Sequence, residues 1–163
     1  MPNWVEGTFR IKGPKENVLK FAAEGLSAVA RNGPITVKRY DEGDGVIHFD
    51  FMDAKLDKPP CMLYIEGTKR HFLDDISYGI DVYENDEGEY QLVAPFQAAW
   101  LIHLDDLKAI ADKYGVDVKA NGYELGFQFE QIIEINRSGE VLTAKKIKYD
   151  NYGWECAMPL LGG

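Results

Sequence analysis

Apolar and polar residues alternate from Trp4 to Lys12. Val5, Gly7, Phe9 and Ile11 fall on one side, and Glu6, Thr8, Arg10 and Lys12 on the other. A period of two predicts a strand with one buried face. Gly13-Pro14 breaks the run. Proline suits a first helical position, where its missing N–H would have had no partner. Val18, Phe21, Ala22, Gly25, Leu26 and Val29 then recur at helical spacing. A helix therefore starts near Pro14 and stops either at Gly25 or at Arg31, with Asn32-Gly33-Pro34 as terminator.

The next stretch reads as short strands and turns. Ile35–Tyr40 and Val46–Phe51 flank Asp41-Glu42-Gly43-Asp44-Gly45, whose glycines supply positive φ for a hairpin. Asp53–Pro60 is a loop, Met62–Ile65 a strand, and Glu66–Asp75 is too polar to assign. Ile76–Glu84 and Tyr90–Phe96 pair around the turn Asn85-Asp86-Glu87-Gly88, and Pro95 points to an edge or a bulge. Leu104, Leu107, Ile110, Ala111 and Tyr114 form a second helical stripe, with Asp105 and Asp106 in the first turn, Lys113 in the last and Gly115 as the stop. Val116–Asn121 is the following strand. Asn121-Gly122 predicts a hairpin turn. A long strand, Gly126–Ile135, follows, with Phe127, Phe129, Ile133 and Ile135 on one face and Gln131 as the odd member. Val141–Tyr149 pairs back after Asn136–Gly139, and an irregular aromatic tail carries Tyr152 and Trp154.

Strand, helix, several strands, helix, strands is an α+β order with a mainly antiparallel sheet. The expected architecture is a ferredoxin-like βαββαβ core extended by extra β-hairpins, with residues 1–163 as a single domain. The two helices are expected on one face of the sheet. Trp4 and Trp100 are expected to pack the sheet against a helix, and truncating a buried Trp100 to Ala would cost roughly 3–5 kcal/mol.

Composition narrows the partners. Twenty-seven acidic residues against eighteen basic ones give a net charge of −9. Such a surface repels nucleic acid unless a local basic patch overrides it, so charge argues against nucleic acid as a partner. Lys145, Lys146 and Lys148 form the one basic cluster. No apolar run reaches the ~18 residues of a membrane span, and the N-terminus lacks a basic segment followed by an apolar one, so the expected compartment is the cytoplasm. Cys61 and Cys156 form no disulfide framework and are expected to be reduced.

No specific catalytic, cofactor or metal motif is present. His48, His71 and His103 lie far apart in sequence. His71 with Asp74 and Asp75 is the least implausible cluster for metal or acid–base work, and His103, at a helix entrance, is expected to be solvated. Asp41–Asp44 and Glu84–Glu89 are acidic but lack the ligand spacing of a calcium loop. These turns are surface elements whose charge is available to a partner. Glu84, Asp86, Glu87 and Glu89 are therefore the candidate protein-binding residues, for a basic protein partner steered by charge.

Two segments resemble a known family. Met1-Pro2-Asn3-Trp4 with a strand and Gly13-Pro14 is one. The other is Pro95-Phe96-Gln97-Ala98-Ala99-Trp100 with the helix ending Lys113-Tyr114, then Val116–Val118, Tyr123-Glu124 and Gly126-Phe127. Together they resemble the Api92-like proteins, also called the YubB group. Val5 stands where members often carry Cys, Leu101-Ile102-His103 replaces a frequent Ser-Pro-Pro, and the middle of the chain matches nothing in the pattern. The resemblance implies a ferredoxin-like protein of phages, plasmids and related mobile elements, without an established activity. The expected function is a non-catalytic accessory protein that acts by binding another protein. The alternative is an acidic nucleic-acid mimic that inhibits a host defence or DNA-processing protein.

Overall fold

The computed structural model describes residues 2–29, 34–74 and 76–163. Eleven strands and three helices follow in the order β1 (Trp4–Gly13), α1 (Lys15–Glu24), β2 (Leu26–Ala28), β3 (Ile35–Gly43), β4 (Val46–Asp53), β5 (Met62–Ile65), β6 (His71–Asp74), β7 (Ile80–Glu84), β8 (Tyr90–Ala99), α2 (Leu104–Tyr114), β9 (Asp117–Glu124), β10 (Phe129–Ile135), β11 (Val141–Lys148) and α3 (Tyr152–Glu155). The fold is mixed α/β around one open antiparallel sheet.

The sheet runs β11-β10-β9-β1-β8 and then forks. One branch continues β6-β5-β2, and the other continues β7-β4-β3. The fork lies within β8, where Tyr90–Leu92 pair with β7 and Phe96–Ala98 pair with β6. Pro95 falls in the interval between the two partners. Proline cannot donate to a ladder, so a central strand tolerates it best where the neighbour changes. Its expected place at an edge or bulge is thus corrected to a partner switch in the middle of the sheet.

Both helices pack on the face of β1 that carries Val5, Phe9 and Ile11. Phe9 meets Phe21 of α1 and Phe96 of β8, with ring centroids 5.9 and 5.8 Å apart, and Phe21 meets Tyr114 of α2 edge-on at 5.3 Å. α1 ends at Gly25, whose N–H donates to the Phe21 carbonyl; Leu26–Ala28 leave it as a strand, so Leu26 belongs to the sheet and not to a longer helical stripe. The alternative stop at Arg31 and Asn32-Gly33 lies outside the described residues. α2 closes at Gly115, in the left-handed conformation at φ 63°.

The largest departure from expectation is at Asn121-Gly122. These residues continue β9, opposite Thr8 and Gly7 of β1. The chain reverses later, between Glu124 and Phe129, through Leu125–Gln128. Two glycines, Gly7 and Gly122, face each other across the β1–β9 pair. A Cβ on Gly7 would lie 2.0 Å from the Asn121 carbonyl oxygen, and one on Gly122 would lie 2.3 Å from Val5 Cγ1. Gly122 serves close approach and not a turn.

Among the described residues no helix is long and apolar enough to cross a membrane. Cys61 is exposed and Cys156 buried, and both are free thiols.

Candidate functional site

The acidic turn between β7 and β8 is built around Asn85. Its side-chain oxygen accepts the N–H groups of Glu87 and Glu89, at 2.9 and 3.0 Å. The four carboxylates then diverge in environment. Glu89 faces Arg137 at 2.6 Å and Lys12 at 3.7 Å, and Glu87 also faces Lys12 at 3.7 Å. Arg137 in turn grips Asp117 through Nε and Nη2, at 3.1 and 2.7 Å. This hydrogen bonding holds the Asp117 carboxyl below its ordinary range, and it raises the guanidinium further. Glu84 and Asp86 remain exposed and, among the described residues, enter no ion pair. The turn therefore offers a partner less free charge than its sequence suggests.

Two exposed aromatic residues lie elsewhere, Trp100 after β8 and Phe127 between β9 and β10. After Ala99 the chain inverts. Trp100 has φ 71°, its N–H donates to the Asn3 carbonyl at 2.8 Å, and its indole is 49% exposed. Ile102 takes the core position and is fully buried. Gln131 of β10 fixes it from both sides, accepting the Ile102 N–H at 2.8 Å and donating to its carbonyl at 2.7 Å. The expectation of a buried Trp100 is thus corrected. A positive φ turns the side chain outward, and the smaller Ile102 fills the interior. Gln131, the polar interruption of the β10 pattern, is what anchors this loop.

The neighbouring turn Leu125–Gln128 is held by Glu124. That carboxylate is fully buried and accepts the N–H groups of Gly126 at 2.8 Å and Phe127 at 2.5 Å. Gln128 completes the reversal at φ 57°. Phe127 is consequently 59% exposed and is not part of the inward face of β10. Asn3 joins the two loops. Its carbonyl takes the Trp100 N–H, and its side chain lies against Gly126, where a Cβ would come within 2.4 Å of Nδ2.

A non-glycine residue at positive φ costs on the order of 1–3 kcal/mol. Because Trp100 is half exposed, Trp100→Ala is expected to change stability by less than about 1 kcal/mol. Trp100→Gly is expected to be neutral or stabilising, since glycine reaches that φ without penalty. Urea denaturation of both variants checks this; a loss of roughly 3 kcal/mol for Trp100→Ala would restore the buried reading.

The histidines divide differently from their sequence neighbourhoods. His48 pairs with Asp81 at 2.7 Å on the surface. His71 is fully buried, and its partners come from the α2 entrance. Nε2 accepts the His103 N–H at 3.1 Å, and Nδ1 lies 3.6 Å from Asp106 Oδ2. That separation is too long for a hydrogen bond, so the attraction is Coulombic. Burial pushes the His71 pKa down to about 4, against the opposing pull of Asp106. Asp106 is itself buried and accepts the Lys69 N–H at 2.6 Å. The His103 ring stands edge-on to His71 at 5.6 Å, which corrects the expectation of a simply solvated side chain. Asp75 lies outside the described residues. Among the described residues no group of three His, Cys, Asp or Glu side chains is arranged to hold a metal ion. The basic cluster sits on the edge strand β11, where Lys146 Nζ lies 3.9 Å above the Phe129 ring.

The face of the sheet opposite the two helices carries Glu6, Thr8, Arg10 and Lys12 from β1, between β8 and β9. Two adjoining hollows, about 400 and 420 Å³, lie there and share Arg10 and Lys119. Sequence alone marked these residues only as the polar side of a strand.

No family model and no solved structure matches the chain. A segment of 105 residues is 28% identical to the arginine–tRNA ligase of Staphylococcus carnosus, a match that takes in 64% of this chain and 18% of that protein. The chain thus spans less than a fifth of that relative's length.

Proposed function

We propose that this chain is a non-catalytic, protein-binding accessory protein of the Api92-like kind, with a ferredoxin-like core and added hairpins. The strand order β9-β1-β8, with α1 after β1 and α2 between β8 and β9, supports the core. Three of its four strands would be these, and the position beside β8 would be shared by β6 and β7. The resemblance in the Trp4 and Trp100 segments supports an origin in phages or mobile elements.

The observation that carries the binding reading is the half-exposed Trp100, held at positive φ on a loop that Asn3 links to the turn carrying an exposed Phe127. Strain maintained by flanking hydrogen bonds is a mark of a functional position. Tryptophan is also among the residues that dominate binding energy at protein interfaces. The net charge of −9 favours a basic partner, drawn in by long-range attraction.

Affinity capture from host lysate, followed by association kinetics with the captured protein, tests this. The double variant Trp100→Ala, Phe127→Ala is expected to lose the partner, mainly through faster dissociation. Charge reversal at Glu84 and Asp86 is expected to slow association, and more so at low salt, because the Debye length falls from ~10 Å at 0.1 M to ~3 Å at 1 M. A partner retained unchanged by the double variant sinks the assignment of this surface.

A further inference from the structure

An open hollow is lined by Gly7, Thr8, Asn121, Tyr123, Met158 and Leu161 together with Arg10 and Lys119. Two cations and no carboxylate line it, in a protein of net charge −9. Arg10 and Lys119 are directly opposed cross-strand partners. Like charges in that position destabilise a sheet, so something must offset the pair. Lys119 has Glu134 at 3.1 Å. Arg10 has no ion pair and no side-chain hydrogen bond among the described residues, whereas other cations are engaged. Lys12 faces Glu87 and Glu89, and Arg137 holds Asp117.

The carboxylates of the open face already have partners, Glu134 with Lys119 and Asp117 with Arg137. Glu6 accepts the Gly162 N–H at 3.1 Å, and Glu130 accepts the Tyr149 hydroxyl at 2.7 Å. A guanidinium presents five donors in a planar fork that matches a carboxylate or a phosphate. The volume, about 420 Å³, lies within the roughly 300–1,000 Å³ of small-molecule sites. The remaining walls combine apolar Met158 and Leu161 with the uncharged polar groups of Thr8, Asn121 and Tyr123. Such a mixture suits a ligand with one charged head and a compact, partly apolar body.

We propose that this hollow binds a small organic anion, whose carboxylate or phosphate is held by Arg10 and Lys119 while its body lies against Thr8, Asn121, Tyr123, Met158 and Leu161. The site is independent of the Trp100 surface and of the protein-binding reading.

Benzoate and phenyl phosphate are suitable probes, with benzamide as the neutral control. Titrations of the full chain at low salt are followed by NMR, through the Arg10 side-chain N–H and the backbone amides of Thr8 and Asn121. Both anions are expected to give saturable shifts at these groups, and benzamide none; the tighter anion identifies the preferred head group. Arg10→Gln is expected to weaken binding at least about tenfold, and Lys119→Gln, which also relieves the cross-strand repulsion, is expected to weaken it while keeping the amide spectrum of a folded chain. Absence of saturable shifts, equal binding of benzamide, or unchanged affinity in both variants overturns the proposal. Also overturning it is a short oligothymidylate that binds the same face far more tightly than either anion and depends on Arg10, since the face would then belong to single-stranded nucleic acid.

Discussion

Gly7→Ala is expected to be among the most damaging single substitutions in this protein, although it adds only one methyl group. The reason lies in the pairing of β1 with β9. Gly7 stands opposite Gly122, and a Cβ at position 7 would meet three backbone atoms: the Asn121 carbonyl oxygen at 2.0 Å, its carbon at 2.9 Å and the Gly122 Cα at 2.9 Å. A side chain in the way could rotate, but these atoms are fixed by the ladder. The two strands must therefore separate within a pairing that runs from Glu6 to Lys12 on β1. Overpacking a core costs about 1–3 kcal/mol and occasionally more, and an immovable obstacle places this case at or above the upper limit. Against a total stability of about 5–15 kcal/mol, that loss is large. Gly122→Ala is the internal control. Its obstacles are Val5 Cγ1 and Ile102 Cδ1, both side-chain atoms, so it is expected to cost less. Urea denaturation midpoints of the two variants, with unchanged slopes, check the order. A smaller loss for Gly7→Ala than for Gly122→Ala would show that close backbone approach is not what these glycines serve.

That pair also explains how far the sequence could be read. Where a signal is local, it held. The alternation in β1, the left-handed Gly115 after α2, and the β3–β4 hairpin around Asp44 and Gly45 depend on neighbours in the chain, and the structure has all three. Asn121-Gly122 carries the strongest hairpin dipeptide, yet its role is set by a strand more than a hundred positions earlier. A glycine chosen for the absence of a side chain is indistinguishable, in sequence, from one chosen for positive φ. Trp100 failed for a related reason. Large apolar residues are mostly buried on average, but which of Trp100 and Ile102 enters the core is decided by the reversal after Ala99 and by Gln131 of β10. The interruption of the β10 pattern at Gln131 was visible; its partner was not. Likewise the acidic turn at 84–89 was legible as charge, while its partial neutralisation by Arg137 and Lys12 required the fold.

The two surfaces have different physical characters. Trp100 and Phe127 sit on loops held by polar groups, the half-buried Gln131 and the buried Glu124, so their display does not depend on packing of the rings themselves. Truncating them should therefore separate binding from stability. Arg10 lies on a central strand, and its substitution leaves the buried face of β1 untouched. Effects at the two surfaces are expected to add, because no residue is shared between them.

Acidification is expected to destabilise the protein by a route that His71 controls. The ring is fully buried against Phe96, 5.6 Å away, and faces Asp106, His103 and Lys69. Nε2 accepts the His103 N–H, which assigns the proton of the neutral ring to Nδ1. Burial is the largest influence and opposes charging; Asp106 favours the charged form, but not enough to restore an ordinary pKa, which falls from 6.5 to about 4. The unfolded chain takes up its proton near 6.5, whereas the folded chain resists until about 4. Between those values the unfolded state binds more protons, so stability falls as pH falls. The contribution is fully present above about 6.5 and lost by about 4, and a shift of this size corresponds to about 3 kcal/mol. His71→Gln removes the titrating ring while keeping an acceptor for the His103 N–H. The wild type and this variant should therefore converge in stability as pH drops from 7 to 4, by an amount of that order. Other carboxylates titrate in the same range, but they are common to both proteins and cancel in the difference. Unfolding free energies of the pair, measured across this range, decide the matter: parallel curves would mean that His71 takes up its proton in the folded state as readily as in the unfolded chain.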